Sequence, residues 1–267
     1  MADPVPAALL ECRGVRKSFG AMVAVKDLSF SIQKGEVLGI GGPNGAGKTT
    51  LFELISGLSP ADKGEVLFEG RRIEGATAHS ICHLGIARVF QSNAAFDSMS
   101  AKHNVLIASA YGGSSGGLPP FTFDQEIVRR AERALDFVGY RKSLGSAVRN
   151  LPVLDRKLLM IASAIATEPK LLLMDEPVGG LNPEEIDQVM ELVRRLIANG
   201  VTIMLIEHVM RFLIQLSSRV IIMHHGEKIF EGPPGALSRD ETVKRVYLGE
   251  RMSKRLAAYS VDSPSLS

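Results

Sequence analysis

Cysteine is scarce: Cys12 and Cys82 are the two in 267 residues, which allows at most one bridge and excludes a disulfide-stapled scaffold. That usage suits a reduced, cytosolic compartment. An excess of one charge sign is also lacking. With a net charge of +2 and scattered basic residues, the chain has no polybasic footprint, and nucleic acid is not expected as a partner. The 26 glycines follow no triplet period, which excludes collagen. Long apolar runs are missing too. The longest chargeless stretch, residues 104–123, has Gly, Ser or Pro at nine of its twenty positions. A spanning helix needs about twenty mostly apolar residues, so the chain is not expected to cross a membrane itself. The start, MADPVPAALLE, carries Asp3 and Glu11 and lacks the positive opening of a secretory signal, so a cytoplasmic location is expected.

What is present is a hydrophobic content of 45% and a charged content of 22%, enough for one large domain or two small ones and too apolar for global disorder. Short apolar runs at 37–40, 86–90, 171–174, 201–206 and 220–223 read as buried strands alternating with helical patterns. That alternation predicts an α/β fold with a parallel sheet. Between the third and fourth runs, Asn182, Pro183, Glu184 and Glu185 give a helix cap, a first-turn proline and acidic residues at the positive helix end. Ile186, Val189, Val193 and Leu196 continue at helical spacing until Gly200. Residues 111–123, YGGSSGGLPPFTF, read as a mobile surface loop, 124–140 as an amphipathic helix, and 93–146 as a helical insertion. The polar tail 251–267 is expected to fray.

Two segments carry chemistry. Residues 42–49, GPNGAGKT, follow the strand VLGI and open the helical pattern TTLFELISG, the context a GxxxxGK[ST] phosphate loop requires. Gly42, Gly45 and Gly47 let the backbone turn its N–H groups inward, with Pro43, Asn44 and Ala46 completing the loop. Lys48 can reach the β and γ phosphates of a nucleotide, Thr49 can bind Mg²⁺, Thr50 lies beside them, and the helix dipole adds positive potential. The second segment, LLLMDEP at 171–177, is an apolar strand closed by two adjacent carboxylates. Asp175 suits a water-mediated hold on Mg²⁺ and Glu176 could polarise an attacking water; a solvated turn is the plainer alternative.

Together with KSFG, ARVFQ, GLNP and LIEHVM, these segments resemble the ATP-binding subunits of ABC transporters, in the family's order and over residues 9–250. Through FGAMVAVKDLSF, GIARVFQ and IEHVM the chain looks like the subunits serving branched-chain amino-acid importers. The resemblance implies a phosphate-loop ATPase core with a mainly parallel sheet and an N-terminal antiparallel part. It also implies a single domain over 1–250, with a helical subdomain at about 93–165. Phe19 would stack on adenine, Gln91 would touch Mg²⁺ and the attacking water, and His208 would contact the γ-phosphate. Alone, Phe19 would equally suit the core, Gln91 a strand end and His208 a structural place. Gly180, Leu181, Asn182 and Pro183 match the loop that crosses the nucleotide-sandwich dimer. His83, His103, His224 and His225 show no metal-ligand spacing with the cysteines.

One motif departs. Where the family usually has LSGGQ, this chain has LPVLD at 151–155; Pro152 has no hydroxyl or N–H, and Leu154 puts bulk where backbone should approach phosphate. The following LLMIASAIAT reads as a buried helix. The resemblance therefore implies ATP and Mg²⁺ as ligands and membrane permease chains as partners, with a solute-binding protein acting indirectly. It places the chain at the cytoplasmic face of a membrane. The altered loop favours a heterodimer with a second ATPase subunit. A soluble ABC-type assembly ATPase, such as that of iron-sulfur cluster scaffolds, is the competing class.

Overall fold

The computed structural model describes residues 8–92, 95–112, 123–140, 142 and 144–248. In chain order its strands are β1 (Leu10–Phe19), β2 (Met22–Ile32), β3 (Val37–Gly41), β4 (Lys63–Phe68), β5 (Arg71–Arg72), β6 (Ile86–Val89), β7 (Leu171–Asp175), β8 (Thr202–Ile206), β9 (Arg219–His224) and β10 (Glu227–Gly232). The main helices are α1 (Lys48–Ile55), α2 (Ala78–Leu84), α3 (Ala101–Gly112), α4 (Gln125–Phe137), α5 (Val153–Ile165), α6 (Pro183–Ala198) and α7 (Met210–Leu216). The chain divides into two compact units, one of residues 1–75 with 202–267 and one of residues 76–201.

In the first unit, β1 pairs antiparallel with β2 and with β4, and β4 with β5. Alternation along β1 sends Leu10 and Cys12 inward, and burial pushes the Cys12 thiol pKa up, which leaves the group inert. The same unit holds β3 between β8 and β9, parallel to both, while β10 returns antiparallel to β9. A strand flanked on both edges and covered on both faces needs an unbroken apolar run, and VLGIG is buried at every position. The turn from β9 to β10 uses His225 at φ 47° and Gly226 at φ 79°, the left-handed pair that a two-residue hairpin requires.

The second unit carries the parallel pair β6 and β7, in register from Ile86↔Leu171 to Val89↔Met174. Its helices follow the sequence signals. Asp124 caps α4 by accepting the Ile127 N–H at 2.8 Å, and Asn182 and Glu185 close a reciprocal capping box on α6 at 2.9 Å each way. Helix α5 buries Leu158, Leu159, Met160, Ile161, Ala162 and Ala164, as LLMIASAIAT implied.

The expected loop 111–123 starts too early. Tyr111 and Gly112 belong to α3, because a Cβ at Gly112 would lie 2.3 Å from Thr167 Cγ2, so close packing there holds the last turn. Residues 113–122 of that tract, the tail 251–267, Asp3, and Asn93 at the start of the helical insertion lie outside the described residues. No helix among the described residues is long and apolar enough to cross a membrane.

Candidate nucleotide site

In the first unit the chain leaves β3 and doubles back through Gly42 at φ 141°, where a Cβ would lie 2.2 Å from the Met223 carbonyl oxygen. Gly47, at φ 97°, caps α1, and a Cβ there would lie 2.0 Å from the Ala24 oxygen. Backbone therefore fills the space on both sides of the loop, and only glycine fits. No side chain caps α1, so its first N–H groups are left to an anion. Lys48 is 6% exposed and donates to the Gly42 and Pro43 carbonyls at 2.8 and 2.9 Å, which folds its ammonium over the loop. Asn44, Gly45 and Thr49 are exposed along the loop, Thr50 is half-buried and Ala46 is buried. The Ala46 carbonyl accepts the Gly226 N–H at 3.1 Å. This cradle fits a polyphosphate.

Phe19 ends β1 with 47% of its surface exposed, and the Lys17 ammonium sits 5.5 Å from its ring centre. An uncovered aromatic ring at a hairpin end can stack on a flat base. His208 is exposed in the turn after β8. That turn is shaped by Glu207, 1% exposed, whose carboxylate accepts the N–H groups of His208 at 2.9 Å and Val209 at 3.1 Å. Tyr247 reaches the loop from the far end of the described chain. Its hydroxyl accepts the Gly42 N–H, and a Cβ at Gly41 would lie 3.4 Å from its ring. Burial raises its pKa, partly offset by that hydrogen bond and reinforced by Glu207. Sequence reading singled out neither Glu207 nor Tyr247. The polar residue directly before His208 was the available signal for Glu207; Tyr247 gave none.

In the second unit Asp175, at the end of β7, is 1% exposed and its Oδ2 accepts from the Arg88 guanidinium of β6 at 2.8 Å. Arg88 also lies 4.9 Å from the centre of the Phe90 ring. One residue on, Glu176 has φ 48°, a left-handed conformation that is strained by about 1–3 kcal/mol for a residue with a side chain. Its Oε2 accepts from Gln91 Nε2 at 2.7 Å. Gln91 and Glu176, two of the candidates read from sequence, thus meet directly. Lys157 of α5 donates to both main-chain carbonyls, Gln91 at 3.2 Å and Glu176 at 3.1 Å. The altered loop keeps a helix start: Pro152 takes the N-cap position of α5 without a side-chain cap bond, Val153 is exposed and Asp155 is buried. Among the described residues no group of three or more His, Cys, Asp or Glu could hold a metal ion by itself. Within this unit the Gln91 amide and the Asp175 carboxylate are oxygen donors of the kind Mg²⁺ takes, an ion that uses few protein ligands and completes its shell with phosphate oxygens and water.

A family model described as "ABC transporter" matches residues 25–179, a span that holds both the phosphate loop and the carboxylate pair. The chain belongs to the ABC transporter family. This ABC ATPase is 33% identical over 250 residues to the high-affinity branched-chain amino acid transport ATP-binding protein LivG of Salmonella typhimurium, covering 91% of this chain and 98% of that protein. It is 31% identical over 243 residues to the lipopolysaccharide export system ATP-binding protein LptB of Acidithiobacillus ferridurans, with 91% and 98% covered. The crystal structure of the ADP conformation of MJ1267, an ATP-binding cassette of an ABC transporter, superposes with a TM-score of 0.81 at 30% identity, covering 91% of this chain and all of that one. The chain is accordingly an ATP-binding, ATP-hydrolysing cassette with the ABC core fold.

Proposed function

We propose that this ABC ATPase is the motor subunit of an importer for branched-chain or other hydrophobic amino acids. The carrying observation is the match to LivG along 98% of that protein. The comparable match to LptB makes lipopolysaccharide export the second reading. In the first reading residues 1–250 form one ATPase domain with a helical subdomain at about 93–165. The subunit docks on membrane permease chains at the cytoplasmic face, and a solute-binding protein delivers the amino acid.

Phe19 stacks on adenine, and the loop from Gly42 to Thr50 binds the phosphates through its backbone and Lys48. Thr49, Gln91 and Asp175, the last through water, would hold Mg²⁺, which when bound neutralises charge on the β and γ phosphates. Glu176 orients the water for in-line attack on the γ-phosphoryl group, and His208 contacts the transferred group. Positioning and electrostatics supply most of the rate in such transfers. Supporting Glu176 in this role are its hydrogen bond from Gln91 and the fixed left-handed backbone beneath it.

Pro152 and Leu154 lack a hydroxyl and a close backbone approach, so a partner ATPase with a complete signature would close this chain's nucleotide site in a heterodimer. The test is co-purification followed by uptake. ATP-driven accumulation of labelled leucine in vesicles carrying the co-purified permease chains supports the importer. Release of lipopolysaccharide from the membrane instead, or co-purification with soluble scaffold proteins only, refutes it. ATPase activity of the isolated chain equal to that of the assembled complex refutes the heterodimer.

A further inference from the structure

The end of the β6–β7 ladder leaves two neighbouring chain segments to be fixed without further strand pairing. The last paired residues are Val89 and Met174, and Gln91 and Glu176 each lie two residues beyond them, in the same register. A carbonyl that has passed the end of a ladder needs another donor. Lys157, 7% exposed, reaches both from α5, at 3.2 Å to the Gln91 oxygen and 3.1 Å to the Glu176 oxygen. The Glu176 oxygen also accepts the Gly179 N–H at 3.2 Å. An ammonium carries three donors on a flexible stem, which suits bridging two carbonyls that no single backbone group could span.

We propose that Lys157 is a positioning residue for hydrolysis, one that clamps the main chain at Gln91 and Glu176 so that their side chains stay hydrogen-bonded to each other. The inference rests on the reading of Glu176 as the water-orienting carboxylate and adds a residue outside the family's motifs. It has a mechanical consequence: α5 begins at the altered loop 152–155, so any displacement of that loop is passed along one helix turn to the Glu176 main chain. The left-handed backbone at Glu176 makes the clamp necessary, because a strained turn relaxes unless neighbouring groups hold it.

Three measurements on the full chain test this. In the nucleotide-free chain, Lys157→Met should speed hydrogen exchange at the Gly179 amide, since the carbonyl that amide bonds to has lost its anchor. In the assembled complex the same variant should lower kcat by about 10- to 100-fold, the range expected when a reacting group is misplaced by about an ångström, with KM for ATP within about twofold of wild type. Lys157→Arg, which keeps the charge and adds donors, should recover at least half of the lost kcat. Unchanged Gly179 exchange, unchanged kcat, a KM that rises in step with the fall in kcat, or failure of arginine to rescue would each overturn the clamp. Should Lys157→Met not fold, Lys157→Gln is read by the same criteria. The exchange measurement separates this inference from the reading of Glu176: if Glu176→Gln retains turnover while Lys157→Met still frees Gly179, the carboxylate's role fails and the main-chain clamp stands.

Discussion

The two units of this ATPase build their parts of the chemistry from different materials. In the first, the phosphate cradle is backbone: Gly42 and Gly47 have positive φ with carbonyls where a Cβ would sit, and Lys48 bonds to loop carbonyls five and six residues before it. In the second, the carboxylates are held by side chains distant in sequence, Arg88 on Asp175 and Gln91 on Glu176, and Lys157 holds the Glu176 main-chain carbonyl. A backbone cradle tolerates sequence change wherever glycine is kept. A side-chain lattice fails when one member is lost.

That contrast orders the expected effects of mutation. Glu176→Gln should retain ATP binding and lower steady-state turnover of the assembled complex by about 10²- to 10⁴-fold, the usual worth of a positioned acid or base. It keeps the shape and the hydrogen bond to Gln91 but removes the charge. Turnover near wild type would move the water-orienting role elsewhere. Arg88→Met comes next. Arg88 and Asp175 are 6% and 1% exposed, and removing one partner of a buried pair typically destabilises by about 3–5 kcal/mol because the other charge stays buried. Denaturant unfolding measures it; a loss under about 1 kcal/mol would mean that Asp175 is not held in the way its burial implies. Lys48→Ala should be milder, since the glycine cradle remains. Loss of charge-assisted hydrogen bonds to phosphate is worth about 1.5–3 kcal/mol, or roughly 10- to 150-fold in affinity for a fluorescent ATP analogue. Unchanged affinity would exclude this loop as the nucleotide site.

The same contrast explains what could be read from the sequence. The phosphate loop was legible because its requirements are local: three glycines, a lysine and a threonine between an apolar strand and a helix start. The five buried strands and the α6 capping box were legible for the same reason. Arg88, Lys157, Glu207 and Tyr247 were not, although each touches a candidate residue or its main chain. Lys157 lies 66 residues from Gln91 along the chain, and nothing near either residue announces the partner. The loop assignment failed at Tyr111 and Gly112 because composition predicts loops, whereas a glycine facing Thr167 is what α3 needs in order to pack closely.

The smallest effect separates the units by the kind of charge they use. The first unit carries carboxyls held below their usual range at its surface. Lys17 and the Ser18 N–H lower Asp62, and Lys26 lowers Glu227. Burial pushes Glu231 up, but Lys228 and Arg219 outweigh it. Burial likewise raises Glu74, and its own N–H, Arg72 and the Val66 N–H outweigh that. A carboxyl whose folded pKa lies below its unfolded one stabilises the fold fully above the unfolded value, about 4, and loses that contribution as pH falls through the folded value. Glu231→Gln and Glu74→Gln should therefore lower the denaturation midpoint slightly at pH 7 and make no difference once the pH is well below the folded values. These carboxyls sit half-buried in ion pairs at the protein surface, so each contribution is small and screened. In about 1 M salt, where the Debye length is about 3 Å, the pH 7 effect of Glu231→Gln should shrink toward zero, while that of Arg88→Met should persist because its pair is dry. If salt reduced both equally, the Arg88–Asp175 pair would be as accessible to ions as the surface pairs, and the distinction between the two units would collapse.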